Sequence, residues 1–217
     1  MHNWECGINI YLGVIYMKKT LFILGLLFCS VILFAEEKVV NALNGMNEPM
    51  KLTVIYQEIE NYDGLILSFK NEGETFGIGV NKDPLPLYKI ICSKFKEWAA
   101  VAHKEKMQGV SKQIFPDDKT VWIPGWMFFN NNYHLDKGCR SESNFFFFVS
   151  KTGDCRLVVG IHYGASIGRV QRESGWNQLY VIPEKEIDTY MAAVSEQFYD
   201  SGKSAADKKH SQLDLLK

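Results

Sequence analysis

The run Gly164-Ala165-Ser166-Ile167-Gly168 has the G-x-S-x-G spacing in which a serine is lifted onto a strand-to-helix turn as a nucleophile. It directly follows Arg156 to Tyr163, an apolar stretch that reads as a strand, the place where such an elbow would stand. The neighbouring chain argues against acyl-transfer chemistry. An elbow needs a parallel sheet and a helix after the serine. Residues 156–163 read instead as one arm of an antiparallel hairpin, and "RVQRESGWN" beyond has no apolar stripe. The triad order also requires an acid and then a histidine, and after Ser166 the sequence offers only His210, in a polar terminal segment. Ser166 is thus the nucleophile of an alternative reading, a small serine hydrolase, and no catalytic set is assigned.

Two other pairings could be drawn. Cys139 and His134 form a thiol and imidazole five residues apart, but spacing alone gives no orientation. His162 shares a strand face with Val158 and Gly160, opposite Leu157, Val159, Ile161 and Tyr163, and is expected as a neutral core histidine bonded to backbone. Cys92, Cys139 and Cys155 lie too far apart for a zinc knuckle or a C-x-x-C redox pair. No metal site and no cofactor are expected.

The arginines suggest binding rather than catalysis. Phe145 to Val149 and Arg156 to Tyr163 are β-formers joined by Lys151-Thr152-Gly153-Asp154, a hairpin turn. Asn144 and Gly164 must then lie together at the far end, where two polar loops start, 130–143 and 164–177. Their convergence would bring His134, Asp136 and Arg140 near Arg169, Arg172, Glu173 and Trp176, and loops on a rigid scaffold commonly carry function. Arginine supplies charge-assisted donors, and Trp126 and Trp176 supply apolar anchors. The same geometry separates Cys139 from Cys155 by about 20 Å, far beyond the roughly 7 Å a disulfide spans.

The elements that must hold these loops follow from periodicity. Leu52, Val54 and Tyr56, then Leu65, Leu67 and Phe69, then Phe76, Ile78 and Val80 alternate as a three-strand meander, broken at 61–64 and 71–74. Gly77 and Gly79 leave one face bare for close approach by another element. Asp83, Pro84 and Pro86 open a helix with Leu87, Ile90, Ile91, Phe95, Trp98 and Ala102 on its stripe. Short extended pieces flank an expected turn at Ile123-Pro124-Gly125-Trp126. The Phe145–Val149 and Arg156–Tyr163 strands, apolar on both faces, are expected to be central and covered on each side. Leu179 to Ile182 is a further strand, and Pro183 opens a second helix with Ile187, Tyr190, Met191, Val194 and Phe198. The fold class is α+β: a mainly antiparallel sheet, N-terminal meander plus central aromatic hairpin, packed with two amphipathic helices.

Compartment comes from "MKKTLFILGLLFCSVILFAEE", which has the positive start, apolar run and small final Ala35 of a secretory signal. The run from Leu21 to Ala35 is shorter than the roughly 20 residues of a bilayer-spanning helix. Residues 1–16 read as an upstream over-extension, 17–35 as the signal peptide, 36–200 as one α+β domain and 201–217 as a polar, flexible tail. The overall charge of −1 becomes −2 once Lys18, Lys19 and Glu5 leave with the leader, so no basic footprint invites nucleic acid. The expected function is an exported, periplasmic or secreted, non-enzymatic domain that binds a protein or small ligand through loops 130–143 and 164–177. It meets the membrane only through its leader during export. An inner-membrane protein anchored by an uncleaved leader is the alternative location, and a structural envelope protein without a defined site is the third functional reading.

Overall fold

A computed structural model describes residues 36–59, 62–71, 73–117, 120, 122–129, 139–163, 165–167, 170–172 and 178–215. The expected upstream over-extension, residues 1–16, and the expected leader, residues 17–35, therefore lie outside the described residues.

Alternating burial marks each strand. In β1 (Glu37–Asn44), Val40, Ala42 and Asn44 are buried; in β2 (Pro49–Ile59), Leu52, Val54 and Tyr56 are. β3 (Tyr62–Asn71) and β4 (Glu74–Val80) complete the expected meander, with Leu65, Leu67, Phe76 and Ile78 facing the same core. β6 (Ile123–Phe129), β7 (Cys139–Val149), β8 (Cys155–Tyr163) and β11 (Gln178–Pro183) carry the sheet onward. The strands pair antiparallel in the order β1-β2-β3-β4-β6-β7-β8-β11, and β11 returns to β1, closing an eight-strand barrel. Closure gives each of these strands a partner on both sides over part of its length. The closing seam is narrow: Leu43 pairs with Val181 and Asn44 with Tyr180. β5 (Val110–Ile114) adds to β7 at Phe145–Val149, beyond the stretch where β6 pairs. β9 (Ala165–Ile167) and β10 (Val170–Arg172) form a separate small ribbon.

The helices pack on the core face of the sheet. In α1 (Leu85–Lys104), Tyr88, Ile91, Cys92, Phe95, Ala99 and Ala102 are buried. Tyr88 meets Phe145 edge-on at 5.3 Å, and Phe95 and Trp98 meet Phe147 at 5.5 and 5.9 Å, the tilted geometry that aromatic quadrupoles favour. A single turn at Glu184–Glu186 leads into α2 (Ile187–Ala193), and α3 (Glu196–Asp214) follows.

The α+β, mainly antiparallel architecture agrees with expectation, and six details differ. The second helix is two, because Ser195 turns extended and its side chain accepts the Phe198 N–H, capping α3 afresh. Residues 201–214, read as tail, are the body of α3, docked on β2 through Tyr199 and Gly202. The expected turn at Ile123–Trp126 is continuous strand; β4 pairs with β6 only as far as Trp126, so Pro124 sits where β6 has one neighbour. The α1 stripe is rotated, with Tyr88 buried and Ile90 39% exposed. Phe146 and Phe148 are half-buried, so β7 is central but covered on one face alone. His162 shares that outer face and is exposed, its ring 6.1 Å from Trp122, rather than a core histidine.

Candidate functional site

β4 ends at Val80 and the chain turns away through Asn81 and Asp83 into α1, while β6 continues past it to Ile123. The departure opens a notch of about 420 Å³ beside Pro124 and Gly125. Asn81, Asp83 and Pro84 form one wall, Trp126 stands on the floor, and Arg140, Ser141 and Glu142 of β7 lie behind. Arg140 and Trp126 are cross-strand partners, so their side chains emerge on the same, outer face. A cation, an indole and two carboxylates thus meet in one place.

Trp126 is held from beneath by a small outer cluster of Tyr62, Ile66 and Phe128. Two glycines make that cluster possible. A Cβ on Gly79 would stand 2.6 Å from Tyr62 Oη and 2.9 Å from Phe128 Cε2, and one on Gly64 would strike the Tyr62 ring. The bare face expected at Gly79 is therefore filled by Tyr62, whose hydroxyl is pushed well above its usual pKa by burial.

Inward-facing Ser141 and Ser143 contrast. Ser143 is hydrogen-bonded to the Tyr88 hydroxyl. Ser141, 2% exposed, has its Oγ buried with no hydrogen-bond partner among the described residues. An orphaned buried hydroxyl costs about 1–3 kcal/mol. It lies behind Gly125: a Cβ there would be 3.2 Å from Ser141 Oγ and 2.8 Å from the Gly79 carbonyl oxygen. A side chain at 125 would therefore crowd the Ser141 hydroxyl and the Gly79 carbonyl.

Of the residues predicted from sequence, Arg140 is on the notch, though on strand β7 rather than in a loop. His134, Asp136, Arg169, Glu173 and Trp176 lie outside the described residues. Arg172 ends β10 opposite Ala165, and Ser166 pairs with Gln171 in the same ribbon. Ser166 is thus followed by a returning strand, where a nucleophile elbow would have a helix. Tyr163 pairs with Ser141 and β9 lies against β7, so the ribbon starts at the Arg140 end of the hairpin. Cys139 pairs with Met127 and Cys155 with Val149, at opposite ends of β7. Sequence reasoning missed Ser141, Asp83 and Glu142; a serine beside charged residues reads as loop.

No helix among the described residues is long and apolar enough to cross a membrane. The chain matches no family model, no curated protein and no solved structure.

Proposed function

We propose that the chain is an exported binding domain, periplasmic or secreted once its leader is removed, that holds a protein segment or small ligand in the notch beside Arg140 and Trp126. The observation that carries this reading is Ser141: a buried hydroxyl without a partner among the described residues, close to Gly125 and lining the same notch as Arg140, Asp83, Glu142 and Trp126. A ligand atom, directly or through a bound water, would satisfy that oxygen. A notch lined by Arg140 together with Asp83 and Glu142 suits a ligand carrying both an anionic group and donors, as an extended peptide does. Trp126 offers its face to the ligand's apolar part. Arg169 and Arg172, which the sequence reading of loops 130–143 and 164–177 assigns to the same site, would add charge-assisted specificity. The leader supports export through its charge and apolar pattern.

Site-specific photo-crosslinking tests the reading. A photoreactive residue at Pro124, in the native envelope, is expected to give a discrete adduct that the same probe at exposed Lys151 does not. Equal adducts from both positions would remove the support for a site in the notch. Intact mass of native material is expected to begin at Glu36; a retained leader would withdraw the export part alone.

A further inference from the structure

We propose that His103, Cys155 and Glu184 form a binding site for a borderline transition-metal ion, Zn²⁺ foremost, at the end of the β7–β8 hairpin opposite the notch. The three residues come from three elements. His103 is in the last turn of α1, Cys155 is the first residue of β8, and Glu184 opens the turn between β11 and α2. One ligating atom from each lies within 4.8 Å of the other two. His103 Nε2 and Glu184 Oε2 are already 2.8 Å apart.

Donor chemistry selects the ion. Thiolate, imidazole and carboxylate together form a set that zinc takes readily, whereas Mg²⁺ and Ca²⁺ favour all-oxygen shells. Bonds of about 2.0–2.3 Å in a tetrahedron place neighbouring donors roughly 3.3–3.7 Å apart. The His103–Glu184 contact must therefore widen by about half an ångström to admit an ion of that bond length. Both side chains are half-exposed, 52% and 40%, and free to make that movement. Cys155, by contrast, is 2% exposed and fixed in the strand, so it defines where the ion sits. Thiolate and carboxylate offset the dication, the thiol proton leaving to solvent as the sulfur–metal bond forms. Three protein donors leave a fourth position open to water or to an outside ligand.

The site would also tie the end of α1 to the barrel. Without an ion, the polar link at that junction is the exposed His103–Glu184 pair, beside the core packing of Ala99 and Ala102, and such exposed pairs stabilise little. With one, α1, the hairpin and the β11–α2 connection share a single centre.

Cobalt titration of the purified chain, thiols reduced, tests this. One equivalent of Co²⁺ is expected to produce a thiolate-to-cobalt charge-transfer band and the strong visible bands of a four-coordinate ion, both displaced by Zn²⁺. Cys155→Ser should abolish the charge-transfer band. His103→Ala and Glu184→Gln, at half-exposed positions that leave the core untouched, should each weaken Zn²⁺ binding at least tenfold in a chelator competition. A charge-transfer band retained in Cys155→Ser, or Zn²⁺ affinity unchanged in both surface variants, would overturn the assignment. So would the absence of any thiolate band in the unsubstituted chain.

Discussion

Gly202 of α3 lies directly against Tyr56 of β2, so close that a Cβ on the glycine would collide with the tyrosine Cβ and ring carbons. The tyrosine ring then turns edge-on to Tyr199, 5.2 Å away, and the two aromatics fasten α3 to the barrel. Glycine here is a packing requirement in mid-helix. Gly202→Ala should therefore destabilise the fold by about 1–3 kcal/mol through overpacking, reversing the gain of roughly 1 kcal/mol that alanine gives in an unpacked helix. Urea denaturation measures it. A raised midpoint would mean that α3 does not pack as described.

The same glycine shows where sequence reading stops. In "SGKSAADKKH" a lone glycine amid polar residues reads as a breaker, since local propensity carries no record of Tyr56, far away in the chain. The meander and the Phe145–Tyr163 hairpin were legible because alternation and turn chemistry are local. Strand β1 was not: its buried positions hold Val40, Ala42 and Asn44, and the last two are weak strand formers. Barrel closure rests on the pairings Leu43–Val181 and Asn44–Tyr180, which leave no mark on either segment alone. At the site, Arg140 was found through the hairpin's geometry. Ser141 was missed because its orphaned hydroxyl is a property of Gly125 and of β4 ending at Val80. His103, Cys155 and Glu184 have no motif spacing to detect, because three separate elements bring them together.

Tyr180 of β11 and Tyr190 of α2 share a hydrogen bond of 2.8 Å between fully buried hydroxyls. Either Phe substitution alone strands the other hydroxyl in the core and should cost about 1–3 kcal/mol. The double variant, Tyr180→Phe with Tyr190→Phe, removes both polar groups and should recover part of that loss. A double-mutant cycle by thermal or urea unfolding reads the coupling. Strictly additive losses would contradict the pairing.

Asp63 is the acid-sensitive link between β3 and α3. It accepts from Lys203 Nζ at 2.9 Å and from the Tyr199 hydroxyl at 2.8 Å. These two bonds hold its carboxyl below the usual carboxylate range, and burial together with Asp63 pushes the Tyr199 hydroxyl up to about 12. A lowered folded value means the unfolded chain takes the proton first as pH falls. The contribution is complete above the unfolded value of about 4 and is lost as pH drops through the folded one. Because the side chain is 41% exposed, solvent screens the effect and it is small. Asp63→Asn should flatten the stability profile below pH 5 relative to the unsubstituted chain. Parallel profiles would show that Asp63 is uncoupled from folding.

Ser166 pairs with Gln171 in a short ribbon, so no strand-to-helix elbow holds its hydroxyl. A fluorophosphonate probe is expected to leave the protein unlabelled. Labelling that disappears in Ser166→Ala would establish the hydrolase instead.

Occupancy of the notch is the most direct measure of the account. Native mass spectrometry of protein recovered from its own envelope should show a bound species. The Arg140→Ala, Trp126→Ala double variant should lower its occupancy at least a hundredfold in affinity terms, about 2.7 kcal/mol. A bound species retained at equal occupancy by the double variant would contradict the assignment of function to this notch.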